Sequence, residues 1–391
     1  MRLVGELVRW CRDVELAEDG LADACERALE HWAEEVPRNP RAWLVTVARN
    51  RIRDQLGAAE RTRTSALADD TPHPTTGLGH GRDDDTLAVL FACAHPALDR
   101  SVHAPLILQV AIGLATGDIA TAFALPTATL AKRLVRAKQK LRANRASFEI
   151  PETIDPARVT AVLDAIYAAY SIEWLRVPPE GTADLVTEQA VYASQLLLRA
   201  LPGDHEVRGL AALLLFLQAR SRARLRDGML VPLDEQDPGE WDRYLIRRGE
   251  RVLRDGLALA RSRPPGPYEL QAAIQSAHST RIDGADAPVD AIAALYDRLV
   301  AATPSKGAAV ARAAAKGRVG GARVGLEILD RLIADDPTLD AFQPYHATRA
   351  ALLAELGESP ELRRAALERA IELCTHPPTR RHLVARRDAS V

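Results

Sequence analysis

Apolar residues along this chain recur at helical spacing. In "TATLAKRLVRAKQKLRA" (127–143), Leu130, Leu134, Ala137 and Leu141 share one side of a helix starting near Thr129. Lys132, Arg136 and Lys140, four apart, share another side, with Arg133 beside them. Just upstream, "GDIATAFAL" (117–125) predicts a short helix, with Ala120 where it must approach its partner, and "LPT" predicts a turn. The apolar "HAPLILQVAIGL" (103–114) predicts a supporting helix. Residues 3–35 also read as helical, with a boundary near Pro37 and Pro40. The next helix spans 39–63: Asn39 is its N-cap, Pro40 its first position, and Leu44, Val47, Ala48 and Leu56 its apolar face, with Arg49 and Arg53 away from the centre of that face.

Between these stretches, "TSALADDTPHPTTGLGHGRDDD" (64–85) is rich in Gly, Pro, Thr and Asp and predicts a flexible linker. A second helical unit follows at 86–146, and Pro151 and Pro156 mark another boundary. From 156 to 391 the pattern is one of successive helices separated by Gly/Pro breaks, such as "LPGDH" (201–205) and "RSRPPGPY" (261–268). No alternating run of β-branched residues and no Asn-Gly turn predicts a strand. The expectation is an all-α protein: helical domains at 1–63 and 86–146, then a helical extension whose tail, "LGESPELRRAALERAIEL" (356–373), carries a weak repeat signal.

Composition narrows the class. Aromatic residues are only 4% of the chain, so its helices must pack through small and aliphatic side chains. Cys11, Cys25, Cys93 and Cys374 form no Cys-x-x-Cys pair, and Cys93 with His95 supplies too few ligands for a closed zinc site; no metal or cofactor is expected. The opening segment lacks a long apolar core, and "LAALLLFLQA" (210–219) is too short to span a bilayer. The reading is a cytoplasmic protein without membrane contact.

Charge changes the picture further. The formal net charge is −2, yet it is strongly segregated: −5 over 1–38, +4 over 39–63, −5 over 64–125 and +7 over 126–145. Two basic islands in an acidic background fit two separate contacts with a polyanion. The second island is the later helix of a helix-turn-helix, whose N-terminal turn enters the major groove while its cations meet phosphates. Thr127, Thr129, Lys132 and Arg133 are the candidates for groove contact, and Arg136, Lys138 and Lys140 for phosphate.

With those residues in view, the sequence resembles a bacterial RNA polymerase sigma factor of the sigma-70 family, extracytoplasmic-function (ECF) group. "GLATGDIATAFALPTATLAKRLVRAKQKLR" (113–142) is similar to region four, which binds the −35 element. "ELAEDGLADACERALEHW" (15–32) with "NPRAWLVTVARNRIRDQL" (39–56) is similar to region two, which binds the polymerase clamp and the −10 element. "FACAHPAL" (91–98), "LDEQDPGEWD" (233–242) and "GPYELQAAIQSAH" (266–278) resemble motifs of a subgroup with a long helical, TPR-like C-terminal extension. The resemblance implies core RNA polymerase and promoter DNA as partners, and a regulatory protein as a partner of the extension. It assigns Glu18, Asp19 and Asp23 to the clamp-binding helix and Arg41, Arg49, Arg51 and Arg53 to the −10 segment. Trp43 falls there too, as a stacking or strand-separating group or as a core anchor of its helix. Ala22 and Cys25 depart from the polar and aromatic residues of that pattern, and so do "YSIEW" (170–174) and Ala311 in the extension. The first helix of region two is expected to be shortened or missing.

Two other classes compete. One is a repressor or activator that uses the helix-turn-helix without replacing a sigma factor. The other is an enzyme, which the sequence supports poorly: His95, His103, His205 and His278 read as surface or helix-capping residues, and "GLGHG" (77–81) lacks the Lys-Ser/Thr of a phosphate loop.

Overall fold

The computed structural model describes residues 2–33, 35–63, 82–144, 148, 150, 153–174, 185–259, 263–357 and 359–389. The predicted linker up to residue 81, "GLGHG" within it and the boundary at Pro151 lie outside them. The described residues form eighteen α-helices and one two-stranded hairpin, an all-α fold. The chain divides into two compact units, Met1–Trp174 with Ala183–Leu197, and Leu175–Thr182 with Leu198–Val391.

The first unit opens with α1 (Arg2–Cys11), α2 (Val14–His31) and α3 (Pro40–Arg63), each packed on the other two. The stretch read as one helix over 3–35 is therefore two, and the helix that precedes α2 is ten residues long. The break falls at Arg12, which takes a left-handed φ of 55°, and Asp13, whose carboxylate caps α2 by accepting the N–H groups of Glu15 and Leu16. Asn39 does the same for α3, accepting the Ala42 N–H at 3.1 Å. Val45, Ala48 and Ile52 are the buried stripe of α3, while Leu56 is exposed. That stripe is rotated from the predicted one because α3 crosses α2 at Gly20. A Cβ there would lie 2.7 Å from Ile52 Cγ1 and 3.1 Å from the Ala48 carbonyl. The backbones approach too closely for any larger residue at that point.

Next come α4 (Arg82–Cys93), which starts inside the predicted linker, and α5 (Arg100–Ile107), which runs on into a π-helical segment, Leu108–Ile112. Gly113 ends it with φ of 87°. Then α6 (Thr116–Ala122) and α7 (Thr127–Ala143) follow. α8 (Pro156–Trp174) packs on α4 and α5. From α8, Arg158 donates to the Phe91 and Ala94 carbonyls at 2.5 and 3.1 Å, satisfying the open C-terminal end of α4. The last helix of this unit is α9 (Leu185–Ala200), whose final residues belong to the second.

In the second unit, α10 (His205–Ala219) is buried nearly all round by α11 (Arg243–Leu259) and α12 (Pro267–Ser279). The apolar run at 210–219 is thus a core helix, and no described helix is long and apolar enough to cross a membrane. Helices α13 (Val289–Ala302), α14 (Lys306–Gly320), α15 (Ala322–Asp335), α16 (Gln343–Leu356), α17 (Pro360–Glu372) and α18 (Pro377–Asp388) follow, each packed on the next, with α14 also meeting α16. The strands β1 (Leu225–Arg226) and β2 (Met229–Leu230) pair Leu225 with Leu230 through an Asp227-Gly228 turn, both turn residues at positive φ. Two-residue strands leave no alternation to read, and the Asp-Gly signal was missed in the sequence. α18 returns to this hairpin: Arg381 Nε donates to the Gly228 carbonyl at 2.9 Å, and Arg386 pairs with Glu235.

Candidate nucleic-acid and polymerase interface

α6 and α7, joined by a short turn, occupy the stretch expected to be a helix-turn-helix. Ile119 and Ala120 of α6 are buried, as are Leu130, Leu134, Ala137 and Leu141 of α7, so the apolar stripe read from the sequence is the packed one. The turn is tightened by Leu125 N–H donating to the Ala120 carbonyl at 2.9 Å, with Ala124 at φ of 51°. Pro126 precedes α7 without a side-chain cap, its carbonyl accepts the Thr129 N–H at 3.0 Å, and Thr127 and Thr129 are exposed in the first turn. Lys132, Arg133, Arg136 and Lys140 are exposed and form no ion pair among the described residues.

Lys138 differs from its neighbours. Its ammonium pairs with the Glu18 carboxylate of α2, and the side chain is only 11% exposed. Arg142, one turn on, places Nε 3.1 Å from Asp13 Oδ2. Sequence reasoning put Lys138 with the phosphate-binding cations and Glu18 with the polymerase-binding acids; the structure brings the two together. A signal was available, since Lys138 follows Leu134 by four and so borders the apolar stripe. Behind this contact Cys93 is fully buried, and its thiol is held well above the usual range by burial, with Glu18 adding to the shift and Lys138 opposing it.

On the α1–α3 bundle the arginines are mostly occupied. Glu6 of α1 accepts Arg41 at 3.0 Å and Arg49 at 3.1 Å. Asp23 takes Arg27 at 3.1 Å and Arg51 at 3.6 Å. Arg49 and Arg53 both lie over the Trp10 ring, 5.6 and 5.7 Å from its centroid. Trp43 is half-buried and meets Trp32 edge-on at 5.5 Å, beside His31 at 6.3 Å. Glu6, Trp10 and Trp32 were missed in the sequence because each acts through a helix distant along the chain. Asp19 stays exposed on α2 with Ala22, Glu26, Glu30 and Leu29, the last 82% exposed, which makes an acidic face with one large apolar residue.

The second unit brings together the motifs singled out at 233–242 and 266–278. Trp241 has the guanidinium groups of Arg281 and Arg220 5.4 and 5.9 Å from its ring centroid. Arg220 bonds Gln275, and Arg281 donates to the carbonyls of Leu233, Asp234 and Gln236. His278 beside them is buried and pushed down to about 4, by burial and then by Arg220 and Arg318. His103 and His205 are also buried, which corrects the surface reading; His205 Nδ1 lies 2.6 Å from Glu269 Oε2.

His205, Glu206 and Glu269 hold their ligand atoms within 4.8 Å of one another. The Glu206 carboxylate accepts the N–H groups of Tyr268 and Glu269, and Glu269 accepts that of Gly266. The cluster thereby ties α10 to the start of α12, and burial raises both carboxyls above the ordinary range.

Comparison with known proteins matches two stretches of the chain to families. Residues 2–62, α1 to α3, match the model of sigma-70 region 2. Residues 158–257 match a family of unknown function (DUF6596). The uncharacterized protein R00370 of Rhizobium meliloti (strain 1021) is 34% identical over 385 residues, covering 95% of this chain and 89% of the relative. No solved structure matches. The chain belongs to one family with that protein, and its residues 2–62 carry a sigma-70 region 2 domain.

Proposed function

We propose that the chain is an ECF-type sigma factor, with α6–α7 as its −35-binding region, α1–α3 as its −10-binding and clamp-binding region, and the remaining helices as a regulatory extension. The observation that carries this reading is the exposed cationic face of α7, Lys132, Arg133, Arg136 and Lys140, in a helix-turn-helix of the same chain as a sigma-70 region 2. The geometry needs no catalytic group. Binding free energy drives strand opening, and the polymerase performs the chemistry. Asp19, Glu26 and Leu29 offer an acidic, partly apolar face to a basic partner surface, which suits the polymerase clamp. In the −10 segment Arg49 and Arg53, stacked on Trp10, stay close to the surface for phosphate contact.

Run-off transcription with core polymerase over a library of genomic fragments tests the reading. A start-site-specific product that needs the chain, and is lost on replacing Lys132, Arg133 and Arg136 by Gln, supports it. Absence of both core binding and product overturns it. Operator binding without polymerase, with no product, favours a regulator instead.

A further inference from the structure

We propose that α11, in the extension, carries a nucleic-acid contact of its own: a stripe of Arg243, Arg247, Arg251 and Arg254 that binds the phosphates of a duplex. The inference rests on the functional reading above for the kind of polyanion the chain meets, and it gives the extension a share in holding it.

Helix α11 packs on α10, and its buried residues are Ile246, Gly249, Leu253 and Gly256. The two glycines allow a close approach. A Cβ on Gly249 would lie 3.2 Å from the Phe216 ring, and one on Gly256 would lie 3.1 Å from Arg208 Cβ. That approach fixes which way the helix faces. Arg243, Arg247, Arg251 and Arg254 stand at i, i+4, i+8 and i+11, so they share one narrow arc on the far side. All four are exposed, and Tyr244 beside them is 67% exposed. The helix holds five arginines against Glu250 and Asp255. Both acids are already met, Glu250 by Arg247 at 3.9 Å and Asp255 by Arg208 of α10 at 3.6 Å.

The stripe divides into two halves. Asp283 lies 3.2 Å from Arg247 and 3.5 Å from Arg243, whose Nη2 also donates to the Ile282 carbonyl at 2.8 Å. Arg251 and Arg254 form no ion pair among the described residues. One pair of guanidinium groups is thus held in place by a carboxylate, and the other pair is open. A helix face that serves solubility alone intersperses both signs. This face gathers one sign along about 16 Å of helix. The same length of duplex carries about ten phosphates on its two strands. Guanidinium groups meet phosphate as a bidentate fork, and a tyrosine hydroxyl is a further phosphate donor. An acidic polypeptide would answer the same charge. A duplex answers the spacing as well, because it sets rigid, regular anions against a rigid, regular row of cations.

The test measures binding of a labelled 30-base-pair duplex of arbitrary sequence to the full chain by anisotropy over a range of salt. Arg251→Gln with Arg254→Gln should lower affinity at low salt about 10-fold and make the slope of log K against log salt shallower by about 1.8, at 0.9 per contact. The melting temperature should hold, since both side chains are exposed. Arg298→Gln with Arg331→Gln removes the same charge from exposed positions of α13 and α15 and should change affinity less than about twofold. Asp283→Asn releases Arg243 and Arg247 and should tighten binding about 2–5-fold, a gain that misfolding cannot produce. Unchanged affinity in the α11 double variant overturns the proposal, and so does an equal effect in the control pair, which would mean net charge alone. Weaker binding in Asp283→Asn overturns the stripe of four. Labelled polyglutamate that binds through Arg251 and Arg254, when the duplex does not, overturns it in favour of an acidic protein partner. Replacing Lys132, Arg133 and Arg136 by Gln separates the two readings. If that variant keeps the parent's duplex affinity while the α11 variant loses it, the stripe stands and the assignment of α7 falls.

Discussion

Helices α3 and α7 are the two basic islands of the sequence, yet they spend their charge differently. On α3, Arg41, Arg49 and Arg51 are met by Glu6 and Asp23 of the same bundle. On α7, Lys132, Arg133, Arg136 and Lys140 form no ion pair among the described residues. Net charge along the sequence does not separate these cases. What separates them is whether a neighbouring helix in the bundle presents a carboxylate at the right height. The paired arginines are positioned by the fold, and the unpaired cations are left for an anion from outside.

The largest expected effect falls on α7. Replacing Lys132, Arg133 and Arg136 together by Gln removes three cations from the duplex-facing helix. Duplex affinity at low salt should fall about 100-fold or more, with a shallower salt slope and an unchanged melting temperature. Replacing Arg41, Arg49 and Arg51 by Gln should show the contrast, lowering the melting temperature because Glu6 loses both of its partners and Asp23 one of its two. If both triple variants lose affinity equally and neither loses stability, the distinction between the helices fails.

A third disposition of arginine appears in the second unit, where Arg220 and Arg281 flank Trp241, and burial, then Arg220 and Arg318, keep His278 neutral. The folded state binds this proton at about 4 and the unfolded chain at 6.5. Stability from this group is therefore fully present above 6.5 and is lost as pH falls from there towards 4. At pH 5 the loss is about 2 kcal/mol. Denaturant titrations of the full chain at pH 7.5 and 5 should show it, and His278→Gln should flatten the profile between them. An unaltered profile in that variant would assign the acid sensitivity elsewhere.

Glu6 gives a smaller and sharper contrast. Its pairs with Arg41 and Arg49 are part-exposed, so Glu6→Gln should cost no more than about 1 kcal/mol. The same change frees two arginines of α3, and duplex affinity should rise by a few-fold. A fall in affinity would mean that Glu6 holds the arginines in the orientation that DNA needs.

Periodic features of short range were legible in the sequence, while features set by distant partners were not. Leu130, Leu134, Ala137 and Leu141 all lie on the packed face, and Asn39 caps α3. Both depend only on residues within a few turns. The stripe of α3 was misread because its rotation is fixed by Gly20 on another helix. The occupation of Lys138 was hidden because Glu18 lies 120 residues away. His278 read as a surface or helix-capping residue because Arg220 and Arg318, the arginines that act on it most, lie far along the chain. The acidic residues of α2, expected alike to bind the polymerase, differ in the fold: Asp19 is exposed, and Glu18 and Asp23 are engaged by cations.

The smallest effect tests the turn that aims α7. Ala124 takes φ of 51°, a left-handed conformation, between an N–H bonded to the Thr121 carbonyl and the bond from Leu125 to Ala120. An L-residue there carries a strain of about 1–2 kcal/mol, which glycine would relieve. Glycine also loses more freedom on folding, by about 0.4–1 kcal/mol, because its unfolded chain has more states. The two oppose each other, and relief is the larger. Ala124→Gly should therefore stabilise the first unit by about 0.5 kcal/mol and leave duplex affinity unchanged, since Ala124 lies outside the cationic face of α7. Denaturant midpoints at constant slope would show the gain. A loss of stability would mean that the methyl group of Ala124 packs in the turn, and a change in affinity would mean that the turn, rather than the charge on α7, sets how the helix meets DNA.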